Sequence, residues 1–229
     1  MVGKKAILGV VIVVLIGLLR TSGVAGASET ANVRASEAAE EVEALTPLSL
    51  QLVDGAITVL SQGWSGMSRV ERDAFLQIYD PAGTGEIDAL FVAEVLGNYR
   101  KIRAALTANV EVVYAGQSAI CTGQRLLYTD LSRLYVCPFF FEQENDARKA
   151  RNLIHEMAHI ALLVVDRPYY VPSSKQYAEL TPNGSWITDV PLVGRVAREV
   201  LRGDTLYHPD AYAHFALLNA GYTYICLDV

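Results

Sequence analysis

The sequence predicts an α+β fold, a single domain that is mostly helical with a small β-sheet. Three observations predict it. Apolar residues recur at three- and four-residue spacing over residues 48–63 and 86–107, the period of helices with one buried face. Short β-branched and aromatic runs between turn residues follow at Val110 to Tyr114, Arg125 to Tyr128 and Leu134 to Val136, and these read as strands. A long helical stretch then runs from about Asp146 to Val164. Helices, a small sheet and a further helix in that order suggest one α+β domain.

The N-terminus differs in kind. Lys4 and Lys5 precede the apolar run Ala6 to Leu19, and the small-residue triplet Ala25-Gly26-Ala27 follows. This is the pattern of a secretory signal peptide, residues 1–27, with the domain in 28–229. An uncleaved anchor needs roughly 20 apolar residues to cross a bilayer, and the run is shorter. The mature chain is expected outside the cell or in a periplasm, as a monomer without stable membrane association. The 229-residue chain is 52% hydrophobic, enough to bury a sizeable core. Its net charge is −6, and removing Lys4, Lys5 and Arg20 makes it more acidic. That balance argues against nucleic-acid binding, which requires a concentrated basic face.

Export permits disulfides. Cys121 and Cys137 flank strand-like and turn-like residues, so a local bridge across a hairpin is expected, leaving Cys226 as a buried free thiol. Asn183-Gly184-Ser185 is a glycosylation sequon, meaningful in a eukaryotic source. Ser28 to Thr46 is Ala- and Glu-rich and reads as a solvated helix or lead-in. Asp80 to Gly85 is a turn cluster. A calcium loop starting at Asp80 is excluded, because Ala82, Thr84 and Phe91 stand where oxygen ligands belong. Further helices are expected over Leu192 to Leu201 and from about Pro209.

Residues 155–159 read His-Glu-Met-Ala-His. Positions four apart on an α-helix lie about 40° apart around its axis, so His155 and His159 can reach one metal ion. Glu156 lies beside them, where a carboxylate can deprotonate a zinc-bound water. Leu153, Ile154 and the run Ile160 to Val165 make this an apolar helix, on which two histidines and a glutamate need a shared task. The bland alternative is a pair of core histidines.

A catalytic zinc takes three protein ligands and keeps one position open. A third histidine six residues after His159 is excluded, since Val165 stands there. Two candidates remain: Glu199 on a later helix, and Asp166 just past the His helix, where Pro168 favours a break.

Four segments in order then carry a resemblance. They are the helix-rich stretch Ala74 to Leu106, Cys137-Pro138-Phe139-Phe140-Phe141, the HExxH with Asp166-Arg167-Pro168-Tyr169, and His208-Pro209-Asp210-Ala211-Tyr212-Ala213-His214-Phe215. Together they resemble the aspzincin family of zinc endopeptidases, which includes deuterolysins and fungal peptidyl-Lys metalloendopeptidases. The resemblance implies a zincin-like domain with an HExxH active-site helix, one Zn²⁺ and a protein or peptide substrate. It also implies Asp166 as the third ligand and Tyr169 as donor to the developing oxyanion. The chain departs from the family in three places. Leu163-Val164-Val165 replaces a Gly-Thr lead-in, Tyr170 replaces a glycine, and the interval from Tyr169 to Asp210 is longer. Asp189 therefore stands as a fallback ligand. Ala213 occupies the position of an acidic residue in lysine-selective members, which argues against that selectivity.

The expected roles follow. His155, His159 and Asp166 hold zinc, Glu156 is the general base and then the proton shuttle, and Tyr169 is the oxyanion donor, against simple packing on Tyr170. Asp210 orients a ligand histidine or binds substrate, or else caps a helix. Tyr212 and Phe215 are core residues. His208 and His214 are surface or capping histidines, or substitute ligands. The competing functions are a catalytically idle zinc-binding interaction module and a toxin-like effector, the latter without visible delivery domains.

Overall fold

The computed structural model describes residues 24–80, 87–116, 118–121, 125–164, 169–171, 176–180, 186–187, 206 and 208–222. Several expectations lie outside the described residues: the apolar leader run, the turn after Asp80, Asp166, Asp189, Glu199, the sequon, the helix over Leu192 to Leu201, and Cys226.

The first element is one helix, α1 (Val24–Ser61), where the sequence suggested a lead-in and a separate helix. It runs through Pro47 although proline removes a helical N–H. Packing explains why. Ala38, Val42, Leu45, Ser49, Leu52, Val53, Ala56, Val59 and Leu60 form one buried stripe across the proline. Within α1, Val33–Ser61 is long and apolar enough to span a membrane by length and composition. That buried stripe, packed on other helices, marks it instead as a core helix.

A short turn of helix, α2 (Gly63–Gly66), leads to α3 (Arg69–Tyr79), of which only the part from Ala74 fell within the helix-rich stretch of the sequence. A capping box starts it: Ser68 Oγ accepts from the Glu71 N–H, and the Glu71 carboxylate accepts from the Ser68 N–H. Next comes α4 (Ala89–Thr107), close to its expected bounds, with Asp88 accepting from the Phe91 N–H at 2.7 Å.

The first sheet has three strands, β1 (Glu111–Tyr114), β2 (Leu127–Thr129) and β3 (Arg133–Val136), in the order β1-β3-β2. β3 lies between a parallel β1, with Val112 beside Leu134, and an antiparallel β2, with Tyr128 beside Tyr135. Among the described residues β2 is therefore an edge strand. It sits slightly later than expected, because the pairing with β3 selects residues 127–129. The Cys121–Cys137 disulfide forms as expected and ties the segment before β2 to the residue after β3.

A short helix, α5 (Phe139–Glu142), precedes α6 (Asp146–Leu162), the helix that carries His155, Glu156 and His159. A second antiparallel sheet follows, formed by β4 (Tyr169–Val171), β5 (Gln176–Leu180) and β6 (Trp186–Ile187) in that order. Last among the described elements is α7 (Pro209–Asn219), with proline in its first turn, where no helical N–H is needed.

The core lies where α1, α3, α4, α6 and α7 meet. At its centre Phe75, Tyr79, Phe91, Tyr99, Tyr212 and Phe215 pack as aromatic neighbours, Phe75 edge-on to Phe215 at 5.6 Å and Tyr99 to Tyr212 at 5.2 Å. Tyr212 and Phe215 are core residues, as expected. This packing fixes α7 against α3 and α4, and α7 also packs along α6. The architecture is α+β, mostly helical with a small mixed sheet.

Candidate metal centre

α6 begins at Asn145, whose side chain accepts from the Arg148 N–H at 3.0 Å, and Asp146 adds a negative charge to the first turn. It ends at Leu163, which takes the left-handed conformation (φ 53°) usually given to glycine at a helix C-terminus. That turn directs the next carbonyl back along the helix. Val164 O lies 2.8 Å from His159 Nδ1. A carbonyl only accepts, so His159 donates from Nδ1, which leaves Nε2 as the ring nitrogen that can meet a metal.

His155 is held from another side. Its Nδ1 lies 2.8 Å from Asp210 Oδ1, and the same oxygen accepts from Arg151 Nη2 at 3.1 Å. Burial penalises the charged Asp210, but the hydrogen bond and positive charge at His155, and the charges of Arg151 and His208, outweigh it. The carboxyl is held well below the usual carboxylate range. An ionised Asp210 accepts, so His155 also has its proton on Nδ1.

The two Nε2 atoms face each other 3.0 Å apart, at hydrogen-bond distance. Two ring nitrogens approach so closely only with a proton or a cation between them. Two nitrogens bound to one tetrahedral zinc at about 2.0–2.1 Å stand about 3.3 Å apart, so the pair, 3.0 Å apart here, need separate by only about 0.3 Å to admit the ion. The donor type fits as well, imidazoles held at Nδ1 by a carboxylate and a carbonyl.

Glu156 is buried on the same helix and lines a cleft of about 270 Å³ together with His159, Val164, Arg125, Tyr128, Thr129, Asp130 and Leu131. The β2–β3 hairpin forms the opposite wall. Its tip is braced by Asp130, whose Oδ1 accepts from the Ser132 N–H (3.0 Å), the Ser132 hydroxyl (2.7 Å) and the Arg133 N–H (2.9 Å). Asp130 Oδ2 accepts from the Tyr135 hydroxyl at 2.8 Å. The bonds from Ser132 first, then Tyr135, hold its carboxyl below its ordinary range. Tyr135 in turn stacks on Tyr128 with centroids 4.6 Å apart.

The structure thus sets His155 against both His159 and Asp210, and places Glu156 beside His159 on the cleft wall. Asp210 is not the cap of α7: His208 holds that position, and Asp210 sits within the first turn bonded to His155. His208 and His214 are not surface residues. They are 2% and 1% exposed, because α7 inserts its whole length between neighbouring helices, and the His208 side chain makes no capping bond. Asp166, Asp189 and Glu199 lie outside the described residues, and Tyr169 is described only through the backbone of β4. Among the described residues no group of three or more His, Cys, Asp or Glu side chains gathers around one point.

The sequence reading missed Arg151, although a charged residue four positions before His155 on a buried helix face was a visible signal. It also missed Arg125, Thr129, Asp130 and the Val164 carbonyl, for which spacing gives no cue. No protein-family model matches the chain, and no curated protein or solved structure matches it either.

Proposed function

We propose that the chain is a secreted zinc-dependent endopeptidase with a zincin-like fold, similar to the aspzincins. The observation that carries this is the convergence of His155 and His159, each with Nδ1 engaged and Nε2 turned towards the other at 3.0 Å. Asp166, four residues past the helix end, is the proposed third ligand. When bound, zinc supplies a Lewis acid that brings the pKa of water to about 7 and polarises a carbonyl. Glu156, beside the pair and open to the cleft, takes the proton of the attacking water and passes it to the leaving amine. Tyr169 donates a hydrogen bond to the oxyanion.

The cleft supports an extended polypeptide as substrate. One of its walls includes Tyr128 and Thr129 of the edge strand β2, and an edge strand presents backbone groups that an added strand can pair. Export is supported by the disulfide, which persists in oxidising compartments.

The test is zinc stoichiometry and casein hydrolysis for the mature protein beside Glu156→Ala. One zinc per chain in both, with hydrolysis in the parent falling at least about 100-fold in the variant, is the expected result. Stoichiometric zinc without hydrolysis by the parent would favour an idle metal-binding module, and no zinc at all would sink both.

A further inference from the structure

We propose that Arg151 is a positioning residue for the histidine pair, acting through Asp210; this deepens the zinc reading above and rests on it. Arg151 and His155 stand four apart on α6, so they share a face. Asp210 arrives from α7 and meets both through one oxygen, at 3.1 Å and 2.8 Å. Arg151 is 5% exposed.

A buried guanidinium is costly. An apolar residue of similar volume would serve packing alone as well or better. Among the described residues the ion pair of Arg151 is with Asp210, and its Nε has no hydrogen-bond partner there. The Arg151 side chain is therefore spent on Asp210. A charge-assisted bond from a planar donor fixes the carboxylate in space as well as in charge. With Oδ1 fixed, His155 must keep Nδ1–H directed at it, and Nε2 is aimed at its counterpart on His159. Without Arg151, the carboxylate is free to turn its charge away from His155, and the imidazole loses both its preferred tautomer and its orientation.

The consequence is measurable in metal affinity. Loss of a partner that orients a metal-bound histidine typically weakens binding about 10- to 100-fold. Arg151→Met and Asp210→Asn should each weaken zinc by about that factor, and the double variant by no more than the larger single effect, since both act through one contact. Arg151→Lys keeps the charge but not the planar, rigid donor and should fall between Arg151→Met and the parent.

The experiment measures zinc dissociation constants by competition with a chromophoric chelator for the parent and these variants. Thermal unfolding of each metal-free protein reports on folding. Histidine ring ¹⁵N shifts of the metal-free proteins report the His155 tautomer, which should be Nδ1–H in the parent and mixed in Arg151→Met. Parent-like affinity and tautomer in a folded Arg151→Met overturn the proposal, as do effects of Arg151→Met and Asp210→Asn that add. If Arg151→Met does not fold, Arg151→Lys decides: parent-like affinity and tautomer in that variant overturn it. Should the parent bind no zinc, the peptidase reading fails, and the tautomer measurement still decides the part played by Arg151.

Discussion

Tyr212 joins two networks with one side chain. Its hydroxyl donates to the Leu206 carbonyl at 2.8 Å and accepts from Asn98 Nδ2 at 2.7 Å, while its own carbonyl accepts from the Tyr99 hydroxyl at 2.6 Å. Tyr212→Phe keeps the ring in the aromatic core and strips the hydroxyl from both partners. The expected cost is about 1–3 kcal/mol, read as a lower denaturant midpoint with an unchanged slope; an unchanged midpoint would show that neither bond matters. The same residue shows how far single positions are legible. Spacing identified His155, Glu156 and His159, because four-residue separation on a helix is a local property. Tyr212 and Phe215 were expected in the core only as the alternative to a catalytic role, and they are buried there. The partner of His155 lies 55 positions away on another helix, and the partner of His159 is a carbonyl exposed by a left-handed leucine. The resemblance singled out Asp210, and folding alone supplied its contacts with Arg151 and His155.

Helix α1 carries the corresponding lesson for elements. A proline between an Ala/Glu-rich segment and an amphipathic one is a reasonable place to divide a sequence. The buried stripe from Ala38 to Leu60 overrides it, since breaking the helix at Pro47 would disperse contacts with α4, α6 and α7. The protein nevertheless bears the penalty of a missing N–H and a crowded carbonyl. Pro47→Ala is therefore expected to stabilise the fold by up to about 3 kcal/mol, the propensity difference between the two residues inside a helix. Chemical denaturation of the two proteins checks this, and a variant no more stable than its parent would mean that local geometry has already relieved the strain. The first half of helix α3 was hidden for the opposite reason. Its start was written in Ser68-Arg69-Val70-Glu71, a capping box, but only Phe75, Ile78 and Tyr79 of its residues are buried, too few to register as periodicity. Local chemistry marked that boundary better than hydrophobic pattern did.

For the molecule as a whole, the cleft depends on how the small sheet is held beside α6. Sheet pairing was visible in the sequence only as strand-like runs; the order β1-β3-β2, which places β2 at the edge beside Glu156, follows from long-range packing. Besides hydrogen bonding, a covalent tie holds this arrangement. The bridge from Cys121 to Cys137 spans 16 residues and encloses both β2 and β3. Closing a loop of that size removes unfolded-state entropy worth about 3 kcal/mol. Cys121→Ser combined with Cys137→Ser should then lower Tm by about 10 °C, given the two to four degrees per kcal/mol typical of domains this large. Because the loop carries the cleft wall and not the histidines, KM for a peptide substrate should rise more than kcat falls. Thiol reductant should lower the Tm of the parent and leave the double variant unchanged. Identical melting of the parent with and without reductant, once mass spectrometry shows the bridge reduced, would refute the claim that this tie supports the sheet beside the cleft.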